Sequence, residues 1–251
     1  MLELTDRVAA ILLISLRIAP VFAFAPPFTL MRTPASVRLL LGIGLSVWLV
    51  ASHPQQTWQV DFWSNGLVAT AASELFMGVA LALALQLAFA ALLTAGRAID
   101  IQAGFGLALL VDPATRTQMP LVGTVFVYAA GALFFATGGA ADLLAVWSAS
   151  IAQVPLGTPA GDGGLAILIS YISAAFIMAF GVAGLIMLTL FLIDLSIAFV
   201  SRTLPQMNML ILGFHVKALA TLVTLPIAIA MAGTLFVRMM RFALETAPTL
   251  I

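Results

Sequence analysis

IQAGFGLALLVDPATRTQMP, residues Ile101 to Pro120, decides how the rest of the chain is read. Its first part, Ile101 to Val111, is apolar apart from Gln102 and carries Gly104 and Gly106. Arg97 and Asp100 bound it on one side; Asp112, Arg116 and Gln118 bound it on the other. About eleven residues of helix cover only about half of a bilayer's hydrocarbon thickness, so this piece cannot span one. Non-helical backbone at membrane depth survives only where protein buries it or it lines a cavity. Each glycine weakens a helix there by roughly 1 kcal/mol relative to alanine. Asp112-Pro113 then ends it, because a residue before proline avoids the helical region. Two readings stay open on local composition: a connecting loop between membrane helices, or a flexible apolar constriction in a pathway.

The surrounding chain places that stretch in a membrane. Of 251 residues, 63% are hydrophobic and 8% charged, against roughly 25% charged in a soluble domain. Mean hydropathy is +1.18. This is an integral membrane protein. Ten basic and ten acidic residues leave no net charge, so nothing suggests a nucleic acid partner. The absence of cysteine removes disulfides, thiolate metal sites and cysteine nucleophiles. MLELTDR is not the basic start of a secretory signal, and Arg17 and Pro20 interrupt the apolar stretch before Ala23-Phe24-Ala25. The first helix is expected to be retained.

Apolar segments run roughly over residues 8–25, 37–51, 66–93, 121–147, 164–200 and 209–237. Most can span about 30 Å of hydrocarbon; the second is short. QVPLGTPAGDGG, residues 153–164, has the Gly/Pro chemistry of a surface loop. No internal repeat is visible. A simple topology sets Arg32, Arg38, Arg97, Arg116 and Arg202 on one side, and Asp61, Asp142 and Asp162 on the other. The positive-inside rule makes the first side cytoplasmic. Arg238 and Arg241 then fall on the wrong side, which conflicts with six plain spans.

Arg17, Glu74 and Asp194 sit in or near apolar segments, where charge is costly and faces a protein interior or a partner. Arg17 is long enough to snorkel from a helix end instead. Glu74 and Asp194 are shorter, which favours buried pairing. Ala80, Ala84 and Ala88 form a small-residue stripe for close helix approach, and Gly181 and Gly184 suit the same use. His53 and His215 are isolated, so a metal site is not expected. His215 and Lys217, after Gly213, read as a helix end. Neither a GxSxG elbow, a phosphate loop nor HExxH occurs. No enzyme activity and no cofactor are expected.

Two motifs carry a family resemblance. One is GFGLALLVDPATRTQMP, residues 104–120; the other is SRTLPQMNMLILGFHVK, residues 201–217, with Arg202, Pro205, Gln206 and Asn208 at its core. Together they resemble the FliR family of flagellar biosynthetic proteins, whose injectisome relatives form the SctT family. The likeness extends over nearly the whole chain. Arg116-Thr117-Gln118-Met119-Pro120 resembles the flagellar branch more closely. One departure is His215, where the flagellar pattern has proline after Gly-Phe.

The resemblance implies an all-α subunit of the type III export gate in the bacterial inner membrane, at the flagellar basal body. It implies one unit over residues 1–251: about six apolar segments as helical hairpins, a P-like portion, then a Q-like hairpin. FliP and FliQ are the implied partners, with the FlhB-type subunit, membrane lipid and unfolded export substrates. The implied pore plug is Gly104, Phe105, Gly106, Leu107, Leu109, Leu110, Val111, Asp112 and Pro113. Glu74, Asp194, Arg202, Pro205, Gln206 and Asn208 are the expected assembly residues. Competing readings are an injectisome SctT-type subunit, a scaffold whose loop never moves, and a small-molecule secondary transporter with broken helices around a midplane site. Such carriers show two related halves, which this sequence lacks.

Overall fold

The computed structural model describes residues 2–26, 28–30, 33–57, 66–105, 120–157, 165–203 and 208–246. Among them, all regular structure is helical. In chain order the helices are α1 (Leu2–Phe24), α2 (Ala35–Ser52), the single turn α3 (Pro54–Thr57) and α4 (Leu67–Ala103). They continue with α5 (Leu121–Ala136), α6 (Gly139–Gln153), α7 (Leu165–Thr203) and α8 (Met209–Thr246). Five of these are long and apolar enough to cross a membrane, and α5 with α6 would make a sixth span. The expected all-α membrane protein is what the chain forms.

Two boundaries differ from the sequence reading. The apolar run at 121–147 is not one straight helix, because α5 and α6 meet at a bend of 73°. Gly138 takes a left-handed φ of +85° there, a conformation that side chains with a Cβ resist. A Cβ on the next residue, Gly139, would come within 2.4 Å of the Phe134 ring. The second difference lies in the opening stretch. Arg97 and Asp100 do not close the third apolar segment; α4 runs on through Ala103. Ile101 to Ala103 is therefore the last turn of a 37-residue helix, not the start of a separate short piece.

Residues 1–87, 134–172 and 240–251 make one compact unit, and residues 88–133 and 173–239 make another. In the first, Ile14, Ile18, Met77, Trp147 and Tyr171 are fully buried. Phe22 packs on Trp147 at 5.6 Å and on Phe28 at 4.8 Å. Backbones of α1 and α4 nearly touch, since a Cβ on Gly78 would lie 2.5 Å from the Leu16 carbonyl oxygen. The second unit uses the same device. A Cβ on Gly96 of α4 would lie 2.2 Å from the Gly123 Cα of α5. Phe126 and Phe236 add an edge-to-face pair at 6.1 Å.

The small residues expected to do this were partly different ones. Ala80, Ala84 and Ala88 are buried as the stripe suggested. Gly184 has nothing within 4 Å of an added Cβ, and Gly181 meets only the Leu235 side chain at 3.9 Å. Close approach thus belongs to Gly78, Gly96 and Gly123.

Candidate functional site

In the second unit, the root of the expected plug is built by the end of α4. Gly104 has φ +86°. Its N–H donates to the Ile101 carbonyl at 3.2 Å, and the Phe105 N–H donates to the Asp100 carbonyl at 2.9 Å. These two bonds around a left-handed glycine are a Schellman cap, which satisfies carbonyls that a helix end leaves orphaned. Gly104 thus stops the helix, and the chain leaves it at a fixed angle. Phe105 meets Phe214 of α8 edge-on at 6.4 Å.

Charges then hold that root. Lys217 of α8 pairs with Asp194 of α7 and donates to the Gln102 carbonyl at 3.3 Å. A cation at the C-terminal end of a helix is electrostatically favoured. Gln102 donates from Nε2 to the Met187 carbonyl of α7 at 3.2 Å. A groove of about 330 Å³ opens here, lined by Ala103, Gly104, Ile197, Phe214 and the ion pair.

The return of the chain is fixed close by. The Val122 N–H, in the first turn of α5, donates to Asp100 Oδ1 at 3.1 Å. Asp100 therefore caps α5 from the last turn of α4, and it is 6% exposed. The last turn of α4 and the first turn of α5 are thus bonded directly to each other. Gly106, Leu107, Leu109, Leu110, Val111, Asp112 and Pro113 lie outside the described residues.

The first unit holds a second constellation. Arg17 of α1 and Glu74 of α4 are both fully buried. Arg17 Nε donates to Glu74 Oε2 at 2.6 Å, and Nη2 donates to Oε1 at 2.9 Å. Nη1 donates to Ser150 Oγ at 3.1 Å, and both Nη atoms donate to the Val154 carbonyl at 3.1 Å. A guanidinium has five N–H donors, and here five bonds use them. Arg17 does not snorkel; its head is turned inward and binds the end of α6. Nearby, His53 Nε2 lies 3.0 Å from Ser148 Oγ, and the Leu156 N–H donates to the Gln56 carbonyl at 3.2 Å.

The remaining expected residues are separate from these clusters. Arg202 is exposed in the last turn of α7. Asn208 Oδ1 accepts the Ile211 N–H at 3.3 Å, so its side chain caps α8. Pro205 and Gln206 lie outside the described residues. His215 does not end a helix, since α8 runs through it, with Nδ1 2.7 Å from the Ile211 carbonyl. Arg17, partner of Glu74, was visible as an intramembrane charge but was not paired in advance; Lys217, partner of Asp194, was read as part of a helix end and lies inside α8 instead.

The profile of bacterial export proteins, family 1, matches residues 8–243. The chain belongs to this family. The export protein is also similar to the flagellar biosynthetic protein FliR of Bacillus subtilis (strain 168). Identity there is 29% over 255 residues, covering 99% of this chain and 97% of the relative. FliR of Escherichia coli (strain K12) is 26% identical over 200 residues, covering 79% and 76%. Yop proteins translocation protein T of Yersinia pestis is 24% identical over 148 residues, covering 58% and 57%. The resemblance to the FliR/SctT family is borne out for this bacterial export protein.

Proposed function

We propose that the chain is a membrane subunit of the flagellar type III protein export gate. It works in the bacterial inner membrane at the flagellar basal body, assembled with FliP, FliQ and the FlhB-type subunit. It lines part of the channel for unfolded export substrates and has no catalytic role. Residues 1–251 act as one subunit, a P-like portion followed by the Q-like hairpin of α7 and α8.

The observation that carries this reading is helix length set against burial. The apolar spans Leu67–Ala103 and Ile169–Thr203 have 37 and 35 residues, about 55 and 52 Å of helix. Fitting either within about 30 Å of hydrocarbon demands a tilt near 55°, beyond the roughly 0–40° range of membrane helices. Tilt alone does not hide them from water. In α7, Ile177, Leu188, Phe191 and Phe199 are more than half exposed. Apolar helix that stands beyond the bilayer needs neighbouring protein to cover it, which supports a multi-subunit assembly standing partly outside the bilayer. It also removes the conflict over Arg238 and Arg241, because these α8 residues need not mark a membrane side.

Residues 104–113 form the plug in this reading. An apolar segment blocks ions by excluding water from a narrow pore. The bond between Asp100 of α4 and the Val122 N–H of α5 supports a plug that returns to its origin instead of spanning. Deleting Leu107 to Val111 should leave the complex assembled but leaky to small ions. Replacing Leu109 and Leu110 with serine should leak less. Ion conductance of membranes holding the assembled deletion variant is the test; conductance equal to the parent's removes the plug. The SctT-type injectisome reading draws on the likeness to Yop translocation protein T, whose coverage is much shorter than that of the Bacillus FliR.

A further inference from the structure

We propose that His215 accepts a hydrogen bond from a neighbouring subunit's helix, which packs along the outer face of α8. This rests on the export-gate reading and names what the partner must carry. Ile211, Leu219 and Leu222 are more than half exposed, and His215 is exposed between them. Steps of four, four and three residues put all of them on one face of the helix. His215 therefore sits within an apolar stripe, with large apolar side chains both before and after it. A contiguous stripe of this kind is covered by other apolar matter, not left in water.

The ring's own bond decides which atom is left over. His215 Nδ1 lies 2.7 Å from the Ile211 carbonyl. A carbonyl only accepts, so Nδ1 carries the hydrogen. In the neutral ring Nε2 is then a bare acceptor. Among the described residues nothing donates to it. Thr189, Ser196, Thr221 and Thr224 spend their hydroxyl hydrogens on the carbonyls of Leu185, Leu192, Lys217 and Ala220, one turn back in their own helices. Lys217 is turned to Asp194 and the Gln102 carbonyl.

Of lipid tails and protein, only protein carries the missing group. A tail is as apolar as leucine and has no donor, so it leaves the Nε2 bond unmade. A helix satisfies its own backbone and can bring a side-chain donor, and histidine bonding across helices is a recurring contact in membrane proteins. The partner helix is therefore apolar along this face, with one hydroxyl, amide or ammonium donor level with His215. An ionised carboxylate there offers no hydrogen and does not fit.

The test co-expresses parent and variant full chains, each with its own tag, with limiting FliP, FliQ and the FlhB-type subunit. Mass spectrometry reads the ratio of the two chains in the purified complex. Glutamine places its carboxamide near the Nε2 position, and asparagine near Nδ1. His215→Gln should hold its own against the parent, because it keeps an outward acceptor. His215→Asn and His215→Leu should each fall behind by about threefold to tenfold, the worth of one such bond, with free-chain abundance unchanged. A photocrosslinker at Leu219 should capture one of those subunits. His215→Leu competing as well as the parent overturns the inference, since a stripe with no bond to make accepts leucine. Equal losses in His215→Gln and His215→Asn overturn it too, as do lipid adducts alone at Leu219. Each of these leaves the export-gate reading standing, because the parent still recovers the subunits. A parent that recovers none removes that reading and the inference with it.

Discussion

Arg17–Glu74 and Lys217–Asp194 are both ion pairs between apolar helices, yet their surroundings are opposite. The first is sealed, with side chains 1% and 0% exposed. The second is open, at 20% and 42%. Every donor of Arg17 is used, tying α1 to α4 and to the end of α6. Lys217 has one carboxylate and one helix-end carbonyl beside a groove. Desolvation makes the first pair intolerant of losing a member, while water or headgroups can still reach the second. The sealed pair is architecture; the open one borders the groove at the end of α4, beside the proposed plug.

Arg17→Met should have the largest effect. It strands the Glu74 carboxylate in the interior, costing about 3–5 kcal/mol. At roughly 2–4 °C per kcal/mol for a chain of this size, the midpoint of thermal unfolding in detergent should fall by about 6–20 °C. Arg17→Met with Glu74→Leu should recover most of that loss, because an apolar pair can replace an ionic one nearly neutrally. A double variant no more stable than the single would show that the bonds to Ser150 and Val154, not the charge pair, hold the unit.

Asp100→Ala comes next. Its carboxylate caps α5 in place of a local side chain, and losing such a cap costs about 1 kcal/mol. The unfolding midpoint should drop by only a few degrees. A fall as large as that of Arg17→Met would mean the two units are equally sealed, against the contrast drawn above.

Lys217→Met should barely move stability, by at most about 1 kcal/mol. Its effect should appear in conductance, because Lys217 holds the Gln102 carbonyl two residues before the proposed plug. We expect a small ion leak in membranes containing the assembled complex, reduced in Lys217→Arg. A variant that destabilises like Arg17→Met and never leaks would make the open pair architectural as well.

How much of this was readable beforehand follows from which forces act locally. Composition and apolar runs were enough for the membrane class and the order of long apolar segments, since burial in lipid depends on summed hydropathy. The α5–α6 bend was missed because Thr137-Gly138-Gly139 was read as part of the apolar run at 121–147, although Gly138 takes a φ of +85° there. The end of α4 was placed too early because Arg97 and Asp100 were read as boundaries. Asp100 instead spends its charge on the amide of Val122, 22 residues away, and no local pattern announces that. The pairing of Arg17 with Glu74 spans 57 residues; its members were legible as expensive charges, but not as partners. Gly78, Gly96 and Gly123 looked like any other glycine in a helix, since close approach depends on the facing backbone.

Arg202 gives the smallest expected change in the chain itself and tests a third kind of charge. It is exposed at the end of α7, so it resembles neither the sealed pair nor the groove pair. Within the chain it contributes only a cation near the C-terminal end of a helix, and Arg202→Ala should alter stability by about 0.5 kcal/mol or less. The motif around it was nonetheless one of two that marked the family. An exposed guanidinium on a segment with unpartnered apolar faces can fork its donors to a neighbouring subunit's carboxylate or carbonyls. We therefore expect Arg202→Ala to keep the free chain's abundance and lower its recovery with tagged FliP. If the pull-down yield and motility both match the parent, Arg202 is a solvated residue at a helix end. Charge exposure would then be enough to predict dispensability, and the ranking from sealed to open to exposed would extend to assembly as well as stability.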